Sequence, residues 1–381
     1  PAAVAVSGLA DVVKHLGKVV ALRAFANGVS SSDTLGGEAI SSLTEIDSKT
    51  AVPKLDAGRI GLAVKSDHLH QGQLYTTSGV KDLPEWAQPR GALYRRILTT
   101  VHDRDESRLS TALTRLTETD PGLTVSPDEQ TGHAVLATQG PIHARHTVER
   151  LKEDFGVEVE LSPVPAAFRE TIRKSVEKHH RHRKQSGGAG QFADVVLDVK
   201  PMPRGSGFQF DEIVKGGAVP RNYIPAVQHG AEDALVEGPH GFPVVDVSVT
   251  LKDGKHHNVD SSDFAFRRAG KDAVREALNE AGTQVLQPVM KVQIHVPSVF
   301  AGGLVPTISG MKGQVLGFEG HPTAAGWDVF NALLPAASHD ELVTALSSST
   351  RGTAWFVSEF DHYQEARAED IQKAEAAQAD A

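Results

Sequence analysis

The stretch HHRHRKQSGGAGQF, residues 179–192, decides how the rest of the sequence is interpreted. Six consecutive basic or imidazole side chains, residues 179–184, precede a Gln-Ser pair and three glycines within four residues. Glycine permits positive φ angles and close approach of the backbone, so a glycine-rich turn beside Arg181, Arg183 and Lys184 can present N–H groups and cations to phosphates. The stretch predicts a nucleic-acid-binding loop. A flexible basic loop between two strands, or a histidine tract that picks up metal, is the alternative.

A second loop, DGKHHNVDSSDFAF at residues 253–266, has a similar character. The two loops in this order resemble domain IV of the elongation factor G family. In that family a Q-[ST]-G-G-x-G-Q-[FY] loop and a D-G-x-x-H-x-V-D-S-S loop lie together at the tip of domain IV and reach towards the decoding region of the small ribosomal subunit. Both motifs are present here, at residues 185–192 and 253–263. The resemblance implies that domain IV has the α/β fold of ribosomal protein S5.

The resemblance also implies which residues contact the ribosome and tRNA. His257 aligns with the family's tip histidine. The full set implied by the two loops and the basic tract is Arg181, Arg183, Lys184, Gln185, Ser186, Gly187, Gly188, Gly190, Gln191, His256, His257, Asp260, Ser261 and Ser262. Ser261 and Ser262 are also typical of a helix N-cap, and no G-x-S-x-G elbow surrounds them, so we expect no nucleophile there.

Composition limits the other possibilities. The 381 residues carry a formal charge of −9, so only local clusters can bind nucleic acid, because general binders are commonly basic overall. The absence of cysteine excludes disulfides and thiolate metal sites and fits a cytoplasmic protein. No apolar run reaches the length of about 18 residues that a membrane span needs, and no signal peptide is evident. We therefore expect no membrane partner.

The first half of the chain predicts two domains. Short β-like segments separated by Gly, Ser and Asp turns predict a small antiparallel β-barrel over residues 1–88. This segment resembles domain II of translational GTPases. An unrelated small barrel is the alternative. Residues 89–163 read strand, helix, strand, strand, helix, strand, the order of a ferredoxin-like split βαβ unit, and resemble domain III. The family's G-M-G-E-L-H-L-E segment reads TQGPIHAR here, with Pro141 in place of the acidic residue.

The second half predicts two more domains and a tail. Domain IV is expected over residues 164–285, with two amphipathic helices, one ending before Gly238 and one before Gly282. Residues 286–365 repeat the ferredoxin-like order and resemble domain V. Residues 366–381 are acidic and rich in alanine, and they predict a tail or a frayed helix.

Several kinds of chemistry find no support in the sequence. There is no G-x-x-x-x-G-K-[ST] phosphate loop and no N-K-x-D guanine-recognition motif. We therefore expect no catalytic residues and no cofactor in this chain. GTP and magnesium are expected only with a preceding nucleotide-binding domain. The chain is accordingly expected to be a piece of a longer factor. A natural protein without that domain is the alternative. The histidines lack the H-E-x-x-H spacing of zinc sites, so we expect no metal.

The sequence thus predicts a multidomain α+β protein, the ribosome-binding C-terminal part of an elongation factor G-like translational GTPase that acts in translocation. The implied partners are the ribosome, including rRNA, the tRNA–mRNA complex in the decoding region and the factor-binding region of the large subunit. We expect a monomer. Two alternatives stay open: a non-translocating paralogue or tetracycline ribosomal-protection factor, and a stand-alone RNA-binding scaffold without a nucleotide cycle.

Overall fold

The structure, a computed structural model, describes residues 4–13, 15–47, 50–128, 132–185 and 190–379. The chain divides into two compact units, Pro1–Val164 and Pro165–Ala381. Each unit contains antiparallel sheets with helices packed on them, which confirms the multidomain α+β class. No helix in the described ranges combines the length and apolar character needed to cross a membrane.

The first unit begins with ten strands that surround one apolar core. Their bounds are β1 Ala5–Val13, β2 Gly17–Ala24, β3 Val29–Ser30, β4 Thr34–Leu35, β5 Glu38–Ala39, β6 Ser42–Glu45, β7 Lys54–Leu55, β8 Ile60–Val64, β9 Leu74–Tyr75 and β10 Val80–Lys81. Leu22, Leu35, Leu43 and Tyr75 are fully or almost fully buried in this core. A short 3₁₀ helix, Glu85–Ala87, follows.

The predicted β-barrel does not close through hydrogen bonds among the described residues. Six strands pair in the open order β10-β9-β1-β2-β8-β6, and β3–β7 and β4–β5 form separate two-stranded ladders. Six of the ten strands are only two residues long. Such short strands cannot continue a ladder around the core, so the sheets enclose it as open pieces.

The rest of the first unit has the predicted ferredoxin-like order. Its elements are β11 Tyr94–Thr100, a 3₁₀ turn Asp103–Asp105, α1 Glu106–Thr119, β12 Thr124–Pro127, β13 Ala134–Thr138, α2 Pro141–Phe155 and β14 Val159–Pro163. The strands pair as β12-β13-β11-β14. Pro141 opens α2, where a missing N–H leaves no helical hydrogen bond unmade, and Gly156 ends it with a φ of 65°.

The second unit contains the sheet that carries both motif loops. Its elements are β16 Val176–Lys184, β17 Gln191–Pro201, β18 Phe208–Glu212, a 3₁₀ turn Arg221–Tyr223, α3 Ile224–Leu235, β19 Val247–Lys255 and α4 Asp263–Ala281. The strand order is β16-β17-β19-β18, in which only β18 and β19 run parallel. Alternate residues of β17, namely Ala193, Val195, Leu197 and Val199, are fully buried in the core shared with α3 and α4.

Helices α3 and α4 approach closely because each has a glycine at the contact. A Cβ on Gly230 would lie 2.1 Å from the carbonyl oxygen of Arg267, and one on Gly270 would lie 2.7 Å from that of Val227. Outside this contact Arg267 forms a two-pronged ion pair with Asp233, which holds the pKa of the Asp233 carboxyl below its ordinary value. The glycines therefore set how near the two helices can lie.

A second sheet completes this unit. Its elements are β15 Arg169–Ile172, β20 Thr283–Pro297, α5 Ser298–Ala301, α6 Leu304–Gly310, β21 Gln314–Gly320, β22 Trp327–Pro335, a 3₁₀ turn Ala336–Ser338, α7 His339–Ser349, β23 Trp355–Glu365 and α8 Ala368–Ala379. The strands pair as β15-β20-β22-β21, with β23 also on β20. The predicted boundary at residues 285 and 286 lies inside β20, which begins at Thr283 directly after α4 and Gly282. The expected tail is helical in α8.

Glu170 in β15 anchors the base of the first sheet to the second. Its side chain is fully buried and accepts hydrogen bonds from the amides of His240 at 2.8 Å and Phe242 at 3.1 Å, and from the hydroxyl of Thr283 at 2.5 Å. A Cβ on Gly238 would lie 2.6 Å from this carboxylate. A buried charge is tolerated when donors surround it, so Glu170 fixes the loop of residues 238–242 against β15 and β20.

We expect Gly230→Ala to lower the free energy of unfolding by about 1–3 kcal/mol, because the new methyl group must push α3 away from α4. Gly310→Ala is the matched control, since Gly310 is also helical but has no neighbouring atom within 4 Å of its Cβ position. Urea denaturation of both variants measures the effect. Equal stability of Gly230→Ala and the control would contradict the close helix contact.

Candidate nucleic-acid interface

The basic tract forms a strand and not the predicted loop. Residues 176–184 make up β16, the edge strand of its sheet, which pairs with β17 along its whole length. Every second side chain of β16 is half-buried and the others are exposed. The six polar residues 179–184 therefore divide between two faces of the sheet, and their charges do not converge.

Asp194 in β17 explains where two of these side chains are held. Its side chain is 2% exposed and accepts a 2.7 Å hydrogen bond from Nε of Arg181, while Nε2 of His179 lies 2.8 Å from its other oxygen. The strand register places Arg181 opposite Asp194. Loss of these partners would leave a buried charge without compensation and would strongly destabilise the protein. Arg181 therefore has a structural role.

The opposite face of β16 is tied to α4. Lys178 Nζ donates a 2.8 Å hydrogen bond to Glu280, which raises the pKa of the lysine, and His180 Nδ1 lies 2.9 Å from Glu276. His182 Nε2 lies 2.9 Å from the side-chain oxygen of Gln191. The imidazoles have separate partners, and within the described ranges no three His, Asp or Glu side chains gather into a possible metal site.

Three cations remain exposed at the end of this sheet. Arg183 and Lys184 are the last residues of β16, and Lys255 is the last residue of β19. Lys255 lies opposite Asp194 in the ladder between β17 and β19. In the described part of the chain none of the three forms an ion pair with a carboxylate. They are therefore available to bind phosphate groups.

The second motif loop leads directly into α4. The Ser262 hydroxyl accepts a 3.2 Å hydrogen bond from the amide of Ala265 and caps the helix, which confirms the predicted N-cap at this residue. Ser261 has a different role, because its hydroxyl donates to the carbonyl of Phe192 at 2.7 Å and accepts from the amide of His257 at 2.8 Å. Ser261 thus joins the second loop to the end of the first.

The loops meet closely at Gly190 and Asp260. The amide of Phe192 donates to the Asp260 carbonyl at 2.8 Å, and a Cβ on Gly190 would lie 2.6 Å from the Asp260 carboxylate. His257 Nδ1 lies 3.2 Å from both the amide nitrogen and the Oδ2 of Asp260, and its ring lies 6.2 Å from that of Phe192. A side chain at position 190 would therefore displace the Asp260 carboxylate from its present position.

The remaining predicted residues are distributed around this junction. Gln185 is exposed beyond β16, and Gln191 begins β17. His256 is exposed, with Nδ1 3.3 Å from the carbonyl oxygen of Ala218. Ser186, Gly187 and Gly188 lie outside the described residues. The sequence reasoning missed Lys255 and Asp194, whose importance depends on strand register.

Comparison with known proteins matches three consecutive parts of the chain to one family. Residues 93–163 match the model of Elongation Factor G, domain III; residues 166–282 match Elongation factor G, domain IV; and residues 284–374 match Elongation factor G C-terminus. Both motif loops fall within the domain IV match.

Whole-chain comparisons agree with these matches. An elongation factor G-like protein from Synechocystis sp. (strain ATCC 27184 / PCC 6803 / Kazusa) is 36% identical over 336 residues, which are 88% of this chain and 50% of the relative. A crystal structure of a protein from Thermus thermophilus has a TM-score of 0.76 and 29% identity, over 99% of this chain and 58% of the other. The chain thus spans about half the length of the curated relative it matches.

Arg181→Ala is expected to lower the free energy of unfolding by about 1–2 kcal/mol, because it removes a hydrogen bond from the buried Asp194 carboxylate. Arg183→Ala is the matched control, two residues along the same strand, and should stay within about 0.5 kcal/mol of the unchanged chain. Thermal and urea unfolding measure both. If the two variants lose the same stability, the hydrogen bond between Arg181 and Asp194 does not stabilise the fold.

Proposed function

The chain belongs to the elongation factor G family, and we propose that it is the ribosome-binding part of an elongation factor G-like translational GTPase. In this proposal the domain that carries β16–β19 enters the decoding region during translocation and contacts rRNA and the tRNA–mRNA complex. The ferredoxin-like domain built on β20–β23 faces the factor-binding region of the large subunit. The protein acts as a monomer in the cytoplasm.

One observation carries the proposal: the second motif loop is bonded to the end of the first, at Phe192, beside three exposed cations. The bonds from Ser261 to Phe192 and from Phe192 to Asp260 hold the loops together, and Arg183, Lys184 and Lys255 end the strands next to them. A tip of this kind can place polar loop atoms against an RNA groove while the cations bind phosphates. The net charge of −9 keeps the rest of the chain from binding RNA generally.

The residues at the tip divide into two roles in this proposal. Arg183, Lys184 and Lys255 provide the electrostatic attraction. His257 is held by its own loop, through the contacts of its ring with Asp260, and presents an exposed imidazole edge to the RNA. Gln185 and His256 are the other exposed polar side chains at the tip. Arg181 contributes indirectly, because it fixes the strand from which the first loop starts.

A specialised paralogue is the second candidate function. It is favoured by one feature of α2, where Pro141 occupies the first helical position and Ile142 is 74% exposed. His143 beside them is satisfied internally, since Nε2 lies 2.7 Å from Asp120 and Nδ1 accepts from the amide of Gln139 at 3.2 Å. A factor that binds ribosomes without ordinary translocation would tolerate this altered surface. A translocation assay with the complete factor distinguishes the two.

The double variant Arg183→Ala/Lys184→Ala should weaken ribosome binding and reduce the salt dependence of the binding constant. Each neutralised phosphate contributes about −0.7 to −0.9 to the slope of log K against log salt. The slope of the double variant should therefore be less steep by the contribution of one to two phosphates. Binding titrations at several salt concentrations measure it.

Lys200→Ala is the control for this prediction, because Lys200 lies in β17 but is paired with Asp198 at 2.8 Å. It should leave the slope unchanged. An unaltered slope in the double variant as well would mean that the end of β16 does not contact RNA, and the proposal would lose its electrostatic part.

The chain by itself is expected to bind neither GTP nor magnesium–GTP, because it has no phosphate loop to surround the nucleotide with backbone N–H groups. In the proposal this chemistry belongs to a nucleotide-binding domain of the complete factor. Titration calorimetry of the chain with magnesium and GTP should show no binding heat. Micromolar binding would place a nucleotide site within these residues and overturn the expectation.

A further inference from the structure

Helix α8 packs on a small apolar cluster at the base of the second unit. Ile371 and Ala374 lie on one face of the helix and contact the cluster formed by Phe168, Phe242 and Val285. All three of these residues are buried, and the two phenylalanine rings lie 5.5 Å apart. The helix therefore covers the point where the chain enters the first sheet, the loop of residues 238–242 and the start of β20.

The N-terminal end of α8 is fixed by charge. Lys312, in the turn between α6 and β21, donates hydrogen bonds to Asp370 at 2.8 Å and to Glu369 at 2.5 Å. These bonds raise the pKa of Lys312, and the lysine in turn lowers the pKa of Glu369. Both groups are therefore charged at neutral pH, and the attraction is lost when acid protonates the carboxylate or when strong base deprotonates the lysine.

The C-terminal end of α8 is fixed to a different part of the unit. Glu375 Oε1 lies 2.8 Å from His240 Nδ1, and Gln378 Nε2 donates a 2.7 Å hydrogen bond to the carbonyl of Gly241. Gly241 has a φ of 85°, which favours glycine. Both contacts are made to the loop of residues 238–242.

The same loop is held from its other side by Glu170. The buried carboxylate accepts hydrogen bonds from the amides of His240 and Phe242, so it fixes the loop backbone. Helix α8 instead holds the side chain of His240 and the carbonyl of Gly241. The loop is thus enclosed between a buried anchor and a surface helix. Removal of the surface helix would leave the aromatic ring of Phe242 exposed.

The contacts of α8 suit a helix that can be released. The side chains of Lys312 and Glu369 are 36% and 59% exposed, and those of His240 and Glu375 are 38% and 41% exposed, whereas that of Asp370 is 16% exposed. Exposed ion pairs contribute little and are screened by salt. The apolar contribution comes from Ile371 and Ala374, which is a small surface for a helix of 12 residues.

We propose that α8 is a releasable strap that keeps the loop of residues 238–242 closed on Glu170. In the docked state the strap joins the turn at Lys312 to this loop, so the sheet of β16–β19 is held firmly on the sheet of β20–β23. In the released state Phe168 and Phe242 are uncovered and the loop opens. The strap thus determines how firmly the sheet of β16–β19 is held on the sheet of β20–β23.

Hydrogen exchange of the full chain tests the proposal with two variants at adjacent positions. Ile371→Glu places a charge on the packed face of α8, and Gln372→Glu places the same group on the exposed face. Local opening should speed exchange of the amides of Gly238, His240, Gly241 and Phe242 by about tenfold or more in Ile371→Glu and leave it unchanged in Gln372→Glu. The amides of β17 should stay protected in both.

Unchanged exchange of residues 238–242 in Ile371→Glu, while the amides of α8 itself exchange freely, would overturn the proposal. If that variant loses the protection of β17 as well, the double variant Lys312→Ala/Gln378→Ala replaces it, because it removes one polar contact at each end without introducing a charge. Its loop should exchange several-fold faster than in the unchanged chain. Exchange equal to that of the unchanged chain would show that the helix is only attached, and does not hold the loop.

Discussion

The close contact between α3 and α4 is the constraint on which the tip of the second unit depends. Gly230 and Gly270 let the helix backbones approach to a distance that any side chain would prevent. Because α4 begins at Asp263, its position also fixes where the second motif loop ends. Tyr223, at the start of α3, stacks on Phe266 at 4.8 Å and donates to the carbonyl of Ser261 at 3.2 Å. The helix contact thus determines the geometry of the loop junction.

Acidic residues of the second unit hold several of its basic side chains in ion pairs. Asp194, Glu276 and Glu280 bind His179, Arg181, His180 and Lys178, so half of the basic tract, together with Lys178, serves to attach an edge strand. What is left exposed is a small positive area at the strand ends. A chain with a charge of −9 can in this way keep a local cation cluster, because its acids neutralise the cations that the fold uses and leave the others.

Much of this architecture could be predicted from the sequence, and the failures share one cause. The apolar stripes of α1, α3 and α4, the cap at Ser262 and both ferredoxin-like orders follow from local periodicity, which a single sequence contains. The tract at residues 179–184 has no apolar alternation, so its strand is visible only once Asp194 is known to lie opposite. The short strands near residues 29–39 and the docking of α8 depend likewise on partners distant in sequence, such as Lys312 for Glu369. Periodicity cannot reveal such pairs.

Strand β20 has a mechanical consequence. It runs for 15 residues, about 50 Å when extended, and its first part pairs with β15 while the rest pairs with β22 and β23. Ladder hydrogen bonds lie perpendicular to the strands, so a force applied along β20 loads all of them together in shear. Bonds loaded in parallel share the tension, whereas bonds at the end of a hairpin break one after another. A force along β20 would therefore be shared by its hydrogen bonds to β15, β22 and β23.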